Sequence, residues 1–470
     1  MVKYLRLVIA LIYLSNCMSS KDEKLSSTKV KSNKLKLVEE NIGQYVEVIT
    51  DNEQGGLIEY LLIHDEKHYV IQAIANLESG DKISFEFIDN KPSNIQPLEK
   101  GSSGIINEEL GEKTILFLIP DFNNVINSED LNDEYMQKKI RDFSEYFAKV
   151  SRGKITIKAD YEYIKFDKDF VRNREIVEGE VEVGKGEDCN LWSITGRSMT
   201  LSQKISQMND PYIMVLYSQD VQSSNCRSGV AGVASLRSKR AWVRSHNLNT
   251  YIHEFGHNLG LRHASVDKNL NGKIETNVGE VYGDHSDPMG NNFAHLDDVV
   301  HFNSSNSMLL GILDPLISEI DVPTNLSLLS DNSNTQEALA YFEPFHKDYK
   351  YTFSFRTRIG LDESLKPIYE GLSIHKQDTV VHDRFGHTGS ELLNVLRIDG
   401  QEHVFDYVYK IRLLGNANRF SPEARFVLED NCKEEGLAKK LSEDFILHSK
   451  ITLEQFKAYS KFCREKLASN

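Results

Sequence analysis

The chain has 470 residues, enough for two to four domains, and its apolar fraction of 40% can fill several hydrophobic cores. Its net charge is −15 and the acidic residues are not gathered into one tail, which argues against nucleic acid as a partner. Beyond its first segment, no stretch is apolar enough to cross a bilayer.

Residues 1–17 are predicted to be a signal peptide, because two basic residues precede the apolar run at 7–14, which is too short for a membrane anchor. This segment ends in Leu-Ser-Asn-Cys, similar to a bacterial lipobox in which Cys17 is lipidated, although Asn16 stands where Gly or Ala is usual. Two fates stay open, which are membrane attachment through lipidated Cys17 and plain secretion. Either fate exports the protein, as a cell-surface lipoprotein or a secreted one.

The next segment, 18–37, is rich in Ser and Lys and is predicted to be a flexible tether. Residues 38–111 are predicted to form a small β domain, because short β-type runs alternate there with turn residues. The runs are 45–49, 56–63, 68–74 and 82–88. This domain is either a prodomain that is removed on activation or a permanent accessory domain, and both interpretations stay open.

Residues 112–320 are predicted to form a domain of mixed strands and helices. The apolar run 113–119 indicates a buried strand, and 128–150 indicates an amphipathic helix with Ser128 as its N-cap. Further strands are predicted at 154–157, 161–164, 211–217 and 229–243, and further helices at 191–208 and 249–259. This order favours an α+β fold in which helices pack on a twisted mixed sheet.

The stretch 253–263 reads H-E-x-x-H-x-x-G-x-x-H and predicts a catalytic zinc site. His253 and His257 are one helical turn apart on one face, so both imidazoles can reach one ion. Gly260 lets the helix end and the chain turn, which brings His263 round as a third ligand. Three protein ligands leave one position for water, and Glu254 is placed to take the proton of that water.

A calcium loop is a weaker prediction. Asp267, Asn269 and Asn271 match positions 1, 3 and 5 of such a loop, and a glycine follows at position 6. Position 12 is Val278, where a bidentate Glu is expected. Ca²⁺ binding and an ordinary surface hairpin therefore both stay open.

A second motif follows at 282–290, reading Tyr-Gly-Asp-His-Ser-Asp-Pro-Met-Gly. Its last three residues suit a tight turn, and Met289 in that turn would give the three imidazoles an apolar floor. Together the two motifs resemble the gametolysin family of metzincin zinc metallopeptidases, whose Met-turn similarly reads Tyr-Gly-Asp followed by Met-Gly. The resemblance is specific for about residues 112–313.

The resemblance implies a metzincin (zincin-like) catalytic domain with an active-site helix, flanked by β-rich N- and C-terminal domains. It implies Zn²⁺ held by His253, His257 and His263, with Glu254 as the general base. In metzincins an edge strand of the sheet pairs with extended substrate, and residues 229–243 are expected to supply that edge here.

Residues 321–430 are predicted to form a β-sandwich-like domain, and 431–470 a helical segment. The strand candidates are 337–342, 351–356, 368–375, 394–398 and 405–413. Four cysteines remain beyond Cys17. Pairing Cys189 with Cys226 and Cys432 with Cys463 keeps each bridge inside one domain, and buried free thiols are the alternative.

The leading hypothesis is an exported zinc endopeptidase that acts on a protein or peptide substrate outside the cell or at its surface. The alternative is a catalytically inactive metzincin scaffold that serves as a surface binding or adhesion protein. Retention of Glu254 and of all three histidines favours the enzyme, because an inactive scaffold usually loses the base or a ligand. The sequence carries no signal for oligomeric state or cleavage preference.

Overall fold

The computed structural model describes most of the chain from Ile42 onwards. The described residues are 42–52, 55–64, 67–72, 74, 82–88, 91–99, 110–122, 131–166, 198–217, 230–268, 278–290, 299–330, 338–344, 349–378, 388–405, 408–432, 437, 441 and 453–469. The predicted signal peptide (1–17) and tether (18–37) lie outside them. So do Cys17, Cys189, Cys226, Asn269 and Asn271.

The N-terminal part is a set of antiparallel strands. They are β1 (Ile42–Asn52), β2 (Gly55–His64), β3 (Lys67–Ile71), β4 (Lys82–Ile88) and β5 (Lys91–Glu99). The four predicted β runs are confirmed as β1 to β4. β5 was not predicted, because Pro92 and Pro97 weaken a strand signal; within the described residues it pairs only with β4, and an edge strand is where proline is tolerated.

The middle of the chain alternates strands and helices. It contains β6 (Gly111–Phe122), α1 (Asp133–Val150), β7 (Ile155–Phe166), β8 (Tyr212–Leu216), β9 (Val230–Ser235), β10 (Arg240–Val243), α2 (Leu248–Asn258), β11 (His263–Ser265), α3 (Val278–Val281) and α4 (Ser304–Leu309). α1 begins later than predicted, because the side chain of Asn132 rather than Ser128 caps it by accepting the Tyr135 N–H at 2.9 Å.

The predicted helix at 191–208 is wrong in its described part. Helical residues 198–201 and a 3₁₀ turn at Ile205–Gln207 are separated there by a bend. The carboxylate of Glu162 accepts the backbone N–H groups of Gln203 and Lys204, at 2.9 and 3.2 Å. These donors are therefore diverted from the i→i−4 bonds that would continue a helix.

One mixed sheet joins the N-terminal strands to the middle of the chain. Its order within the described residues is β3-β2-β1-β9-β10-β8-β6-β7, with β4 also paired to β1. β6, β7, β8 and β10 run parallel to one another, whereas β9 is antiparallel to both β1 and β10. The predicted α+β class with a mixed sheet is therefore confirmed, whereas the prediction that 229–243 forms an edge is wrong, because β1 covers the outer side of β9.

The C-terminal part adds two further sheets, built from β12 (Leu316–Ile317), β13 (Pro323–Ser327), β14 (Leu339–Phe342), β15 (Tyr349–Arg356), β16 (Gly371–Asp378), β17 (Thr388–Leu396), β18 (Glu402–Phe405), β19 (Tyr409–Leu413) and β20 (Glu423–Asp430). Their orders are β11-β17-β16-β15-β14-β12 and β13-β20-β19-β18. They share one core, in which the rings of Phe353 and Phe426 lie 5.1 Å apart. A sandwich-like packing results.

The chain ends in the helix α5 (Leu453–Ser469), which is tied to the end of β20 by a disulfide. The bridge joins Cys432 and Cys463, and this predicted pair is confirmed. Among the described residues, no helix is both long and apolar enough to span a membrane.

Candidate metal centre

Helix α2 places two histidines side by side in the core. Asn247 caps it by accepting the Thr250 N–H at 2.8 Å, and every residue of the helix is buried. Phe255 anchors it, with its ring 5.5 Å from that of Phe143 on α1. His253 and His257 therefore project from a helix that is fixed on the sheet.

The third histidine reaches the same point through the turn that the sequence predicts. Gly260 has a φ of +97°, in the left-handed region that favours glycine, and the chain reverses there. His263 then opens strand β11. One nitrogen from each of the three imidazoles lies within 4.8 Å of the others, and all three side chains are buried.

Two of the histidines use Nδ1 for hydrogen bonds and turn Nε2 towards each other. Nδ1 of His253 donates to the carbonyl of Pro288 at 2.8 Å, and Nδ1 of His257 donates to that of Leu261 at 2.7 Å. In neutral imidazoles the two Nε2 atoms then both carry lone pairs, yet they lie 3.1 Å apart. Two nitrogens on a tetrahedral zinc are about 3.4 Å apart. The donor set therefore fits a small divalent cation.

Glu254 lies between the helix and strand β9. It is fully buried, and a Cβ added at Gly232 of β9 would lie only 2.0 Å from its Oε1 atom. The strand therefore approaches the carboxylate so closely that any side chain at position 232 would displace the end of Glu254.

Met289 lies beneath the same helix. A Cβ added at Gly256 would be 2.5 Å from its sulfur, so the thioether packs against the helix backbone between Glu254 and His257. Its carbonyl accepts the Ala264 N–H at 2.9 Å, next to the third histidine. The structure thus brings the Met-turn residue and the histidine motif together.

Two buried carboxylates, Asp284 and Asp287, hold the Met-turn in place. The pKa of the first is lowered and the pKa of the second is raised. Burial acts to raise the pKa of Asp284, but hydrogen bonds from His375, Ser286 and Asn303 hold it at about 2. Burial, together with the charge of Asp284, raises the pKa of Asp287 to about 6. Asp287 accepts the Met289 N–H at 2.7 Å, so it fixes the backbone of the turn directly.

Three further supports come from the C-terminal sheets. Arg356 is fully buried, donates to the carbonyls of Ser286 and His301, and is paired with Asp362. His375 contacts Asp284. Strand β11 pairs in parallel with β17, so the residue that follows the third histidine is held by a strand more than a hundred residues later.

His375 also lies 3.1 Å from the hydroxyl of Ser304, which gives a Ser-His-Asp order with Asp284. All three side chains have no exposed surface. Ser304 also hydrogen-bonds to Thr352 of β15, and Asp284 accepts the Ser286 N–H, so this group braces the Met-turn against the C-terminal sheet.

The predicted calcium site is only partly described. Asp267 is buried at the end of the segment that follows β11, whereas Asn269 and Asn271 lie outside the described residues. Calcium binding therefore stays a prediction. Within the part of the chain that the structure describes, the three histidines are the one group of His, Cys, Asp or Glu side chains arranged to hold an ion.

Several contributors to the site were missed at the sequence level. They include the carbonyls of Pro288 and Leu261, the close approach of Gly232, and the ring of Tyr282, which lies 4.0 Å from that of His263. Tyr282 is buried there. Backbone carbonyls leave no residue-type signal, so only the turn at 288–290 could have indicated them.

Comparison with known proteins adds no assignment. The chain matches no protein-family model and no curated protein. Its function must therefore be inferred from the chemistry of the site itself. Three convergent imidazoles, a buried carboxylate beside the first of them and an apolar floor can bind a metal ion and move a proton next to it.

Proposed function

We propose that this protein is a zinc-dependent endopeptidase of the metzincin type, similar to the gametolysin family. The observation that carries the proposal is the convergence of His253, His257 and His263, with Glu254 next to the first of them on the same helix. The packing of Met289 under that helix gives further support, because the two motifs are far apart in sequence and meet only in the fold.

Zinc is the ion that this donor set fits best. Neutral imidazole nitrogens suit zinc, copper and nickel better than the hard cations calcium and magnesium. The carbonyl contacts of His253 and His257 resemble the outer partners that orient zinc-binding histidines and raise their basicity. With three protein ligands rather than four, the set is that of a catalytic site.

Each residue has a distinct role in this proposal. Bound at the three histidines, zinc would activate water and polarise the scissile carbonyl. Glu254 takes a proton from the attacking water and passes it to the leaving amine. The buried carboxylate is suited to this task, because the contact with Gly232 fixes its position against the sheet. Met289 excludes water beneath the ligands and bonds to neither reactant.

The test removes the metal and adds it back. It also compares the zinc binding and activity of two histidine variants. A chelator should abolish hydrolysis of an unfolded protein substrate, and one equivalent of Zn²⁺ should restore it. His257→Ala should lose tight zinc binding and activity, because two imidazoles hold zinc more weakly than three. His403→Ala, which changes a histidine on β18, should retain both.

Hydrolysis that survives complete removal of the metal would overturn the assignment. Tight zinc binding without hydrolysis of any protein or peptide would favour the binding scaffold over the enzyme. The two readouts, metal content and cleavage, therefore separate the two functional hypotheses.

A further inference from the structure

Strands β15 and β16 turn one buried face towards helix α4, and this face is polar. Three cross-strand rows make it up: Thr352 opposite His375, Ser354 opposite Ser373, and Arg356 opposite Gly371. The residues between them on the two strands face the sandwich core. α4 contacts β15, β16 and β17, and its residues 304–307 are all polar and buried. Two polar surfaces therefore meet here away from bulk water.

The first and third rows are hydrogen-bonded to the part of the chain that carries the metal centre. The hydroxyl of Thr352 lies 2.8 Å from that of Ser304, where α4 begins. Arg356 donates to the carbonyl of Ser286 in the Met-turn. These two rows thus bind α4 and the Met-turn to the C-terminal sheet.

The middle row makes no such contact. The hydroxyls of Ser354 and Ser373 are buried and have no hydrogen-bond partner among the described residues. A buried hydroxyl without a partner is costly, so such groups are normally bonded to protein or to ordered water. Directly opposite residues of an antiparallel pair have Cβ atoms about 4.5–5.5 Å apart, and two hydrogen bonds of about 2.8 Å that meet at one water oxygen span this distance.

The surroundings of the middle row leave room for a water molecule and close it in. Gly371 in the next row has no side chain, and serine is the smallest residue that carries a hydroxyl. On one side, Leu339 of β14 packs in the same core as Leu310. On the other side, Leu392 of β17 packs with Val300. A water molecule held between these apolar contacts would be shielded from solvent.

We propose that Ser354 and Ser373 bind one ordered water molecule between the C-terminal sheet and α4, and that this water helps to hold the Met-turn. The water donates to one hydroxyl and accepts from the other, so both buried groups are satisfied. It fills the gap between the row that reaches Ser304 and the row that reaches Ser286, so the polar face is packed without a void. The proposal does not depend on the peptidase function, because it concerns only how the turn is supported.

A high-resolution crystal structure of the full chain gives the direct test. We expect one density peak about 2.6–3.1 Å from both hydroxyl oxygens, and the loss of this peak in Ser373→Ala. The absence of a peak between the two oxygens in wild type would overturn the proposal. A peak about 2.4 Å from six or more oxygens would indicate a cation such as Ca²⁺ and would overturn it as well.

The sign of the stability change is a second test. With the water in place, Ser354→Ala and Ser373→Ala should each lower the folding equilibrium constant about fivefold, because each leaves the water one bond short. The double variant should lose less than the product of the two factors, because the same water is lost only once. A dry row predicts the opposite sign, since each substitution then removes an unsatisfied hydroxyl. Higher stability in both single variants would therefore refute a shared water.

The matched control is Ser235→Ala. The hydroxyl of Ser235 is also buried without a hydrogen-bond partner among the described residues, but the residue opposite it on β1 is the apolar Val48, which cannot share a water. The folding equilibrium constant of this variant should stay level or rise. An equal fall in this variant would count against a shared water, because the loss would then follow from any buried serine.

Hydrogen exchange tests the link to the Met-turn. The N–H groups of Ser286 and Met289 are bonded to the two buried carboxylates of the turn, so their exchange reports its local opening. In Ser373→Ala both should exchange about fivefold faster relative to the core amides of β6, which report global unfolding. Ser235→Ala should leave this ratio unchanged. An unchanged ratio in Ser373→Ala would refute the role of the water in holding the turn, even where the density peak is present in wild type.

Discussion

The proposed mechanism gives Glu254 and the three histidines separate tasks, so they can be tested separately. Glu254→Gln retains the shape of the side chain against Gly232 and leaves every imidazole in place. We expect one bound zinc per chain and a loss of kcat/KM of about 10²–10⁴-fold, the usual consequence of losing a general base. Metal analysis and peptide kinetics on one preparation measure both quantities. Activity within threefold of wild type would refute the assigned role.

Gly232 sets the position of that carboxylate. Gly232→Ala puts a methyl group where Oε1 of Glu254 now lies, and the flexible end of Glu254 must move. Zinc binding should persist, whereas kcat/KM should fall by about tenfold or more, because misplacing a catalytic group by about 1 Å can cost 10²-fold.

The matched control for Gly232→Ala is Ser235→Ala on the same strand, which removes a hydroxyl and adds no atom near Glu254. Its kcat/KM should stay close to that of wild type. Equal kinetics for the two variants would mean that the contact between Gly232 and Glu254 does not position the base.

The segment that leads into α4 carries a pH-dependent contribution to stability. His301 is fully buried, and burial lowers its pKa to about 4 from an ordinary value of 6.5. Its Nε2 atom has no hydrogen-bond partner among the described residues, so an imidazolium would be poorly solvated there. The folded state therefore favours the neutral ring, and its stabilising contribution is full above pH 6.5 and is lost as the pH falls through 4.

His301→Gln should remove this dependence. The free energy of unfolding of wild type, relative to the variant, should fall by up to about 3 kcal/mol between pH 6.5 and 4. The difference is the quantity to measure, because Asp287, whose pKa burial and the charge of Asp284 raise to about 6, acts in the opposite direction over an overlapping range. Denaturant titrations of both proteins at several pH values measure this difference in the free energy of unfolding. Parallel pH profiles for the two proteins would contradict the assignment.

Local pattern predicted the elements that carry the site. The helix that carries His253 and His257 was expected at 249–259 and is found at Leu248–Asn258, because its motif, its cap and its glycine stop are all short-range signals. Long-range pairing was not predictable. β1 and β9 are nearly two hundred residues apart, and a β run carries no mark of which distant edge it will join. β11 has three residues, too few for any periodicity.

In the whole molecule, residues from both the N-terminal and the C-terminal parts of the chain pack around the site. β1 covers one side of it, whereas β17, Arg356 and His375 hold the third histidine and the Met-turn from the other. The predicted domain boundary at 320 assigns these C-terminal residues to a separate domain. Their burial against the Met-turn indicates that they also stabilise the metal centre.

A chain that ends at residue 320 tests this dependence. It loses the partner strand of β11 and the buried donors on Asp284 and Ser286, and groups buried in this way cost about 1–3 kcal/mol each when left unpaired. We expect it to bind zinc at least about tenfold more weakly than the full chain, measured by competition with a chromogenic chelator.

The control is the full chain with Cys432→Ser and Cys463→Ser, which loses the bridge across a separation of 31 residues but retains β17. Its stability should fall by about 3–4 kcal/mol, as loop-closure entropy predicts. Its zinc affinity should remain that of wild type, because nothing next to the histidines changes. A chain ending at 320 that binds zinc as tightly as this control would show that the C-terminal sheets are dispensable for the metal centre.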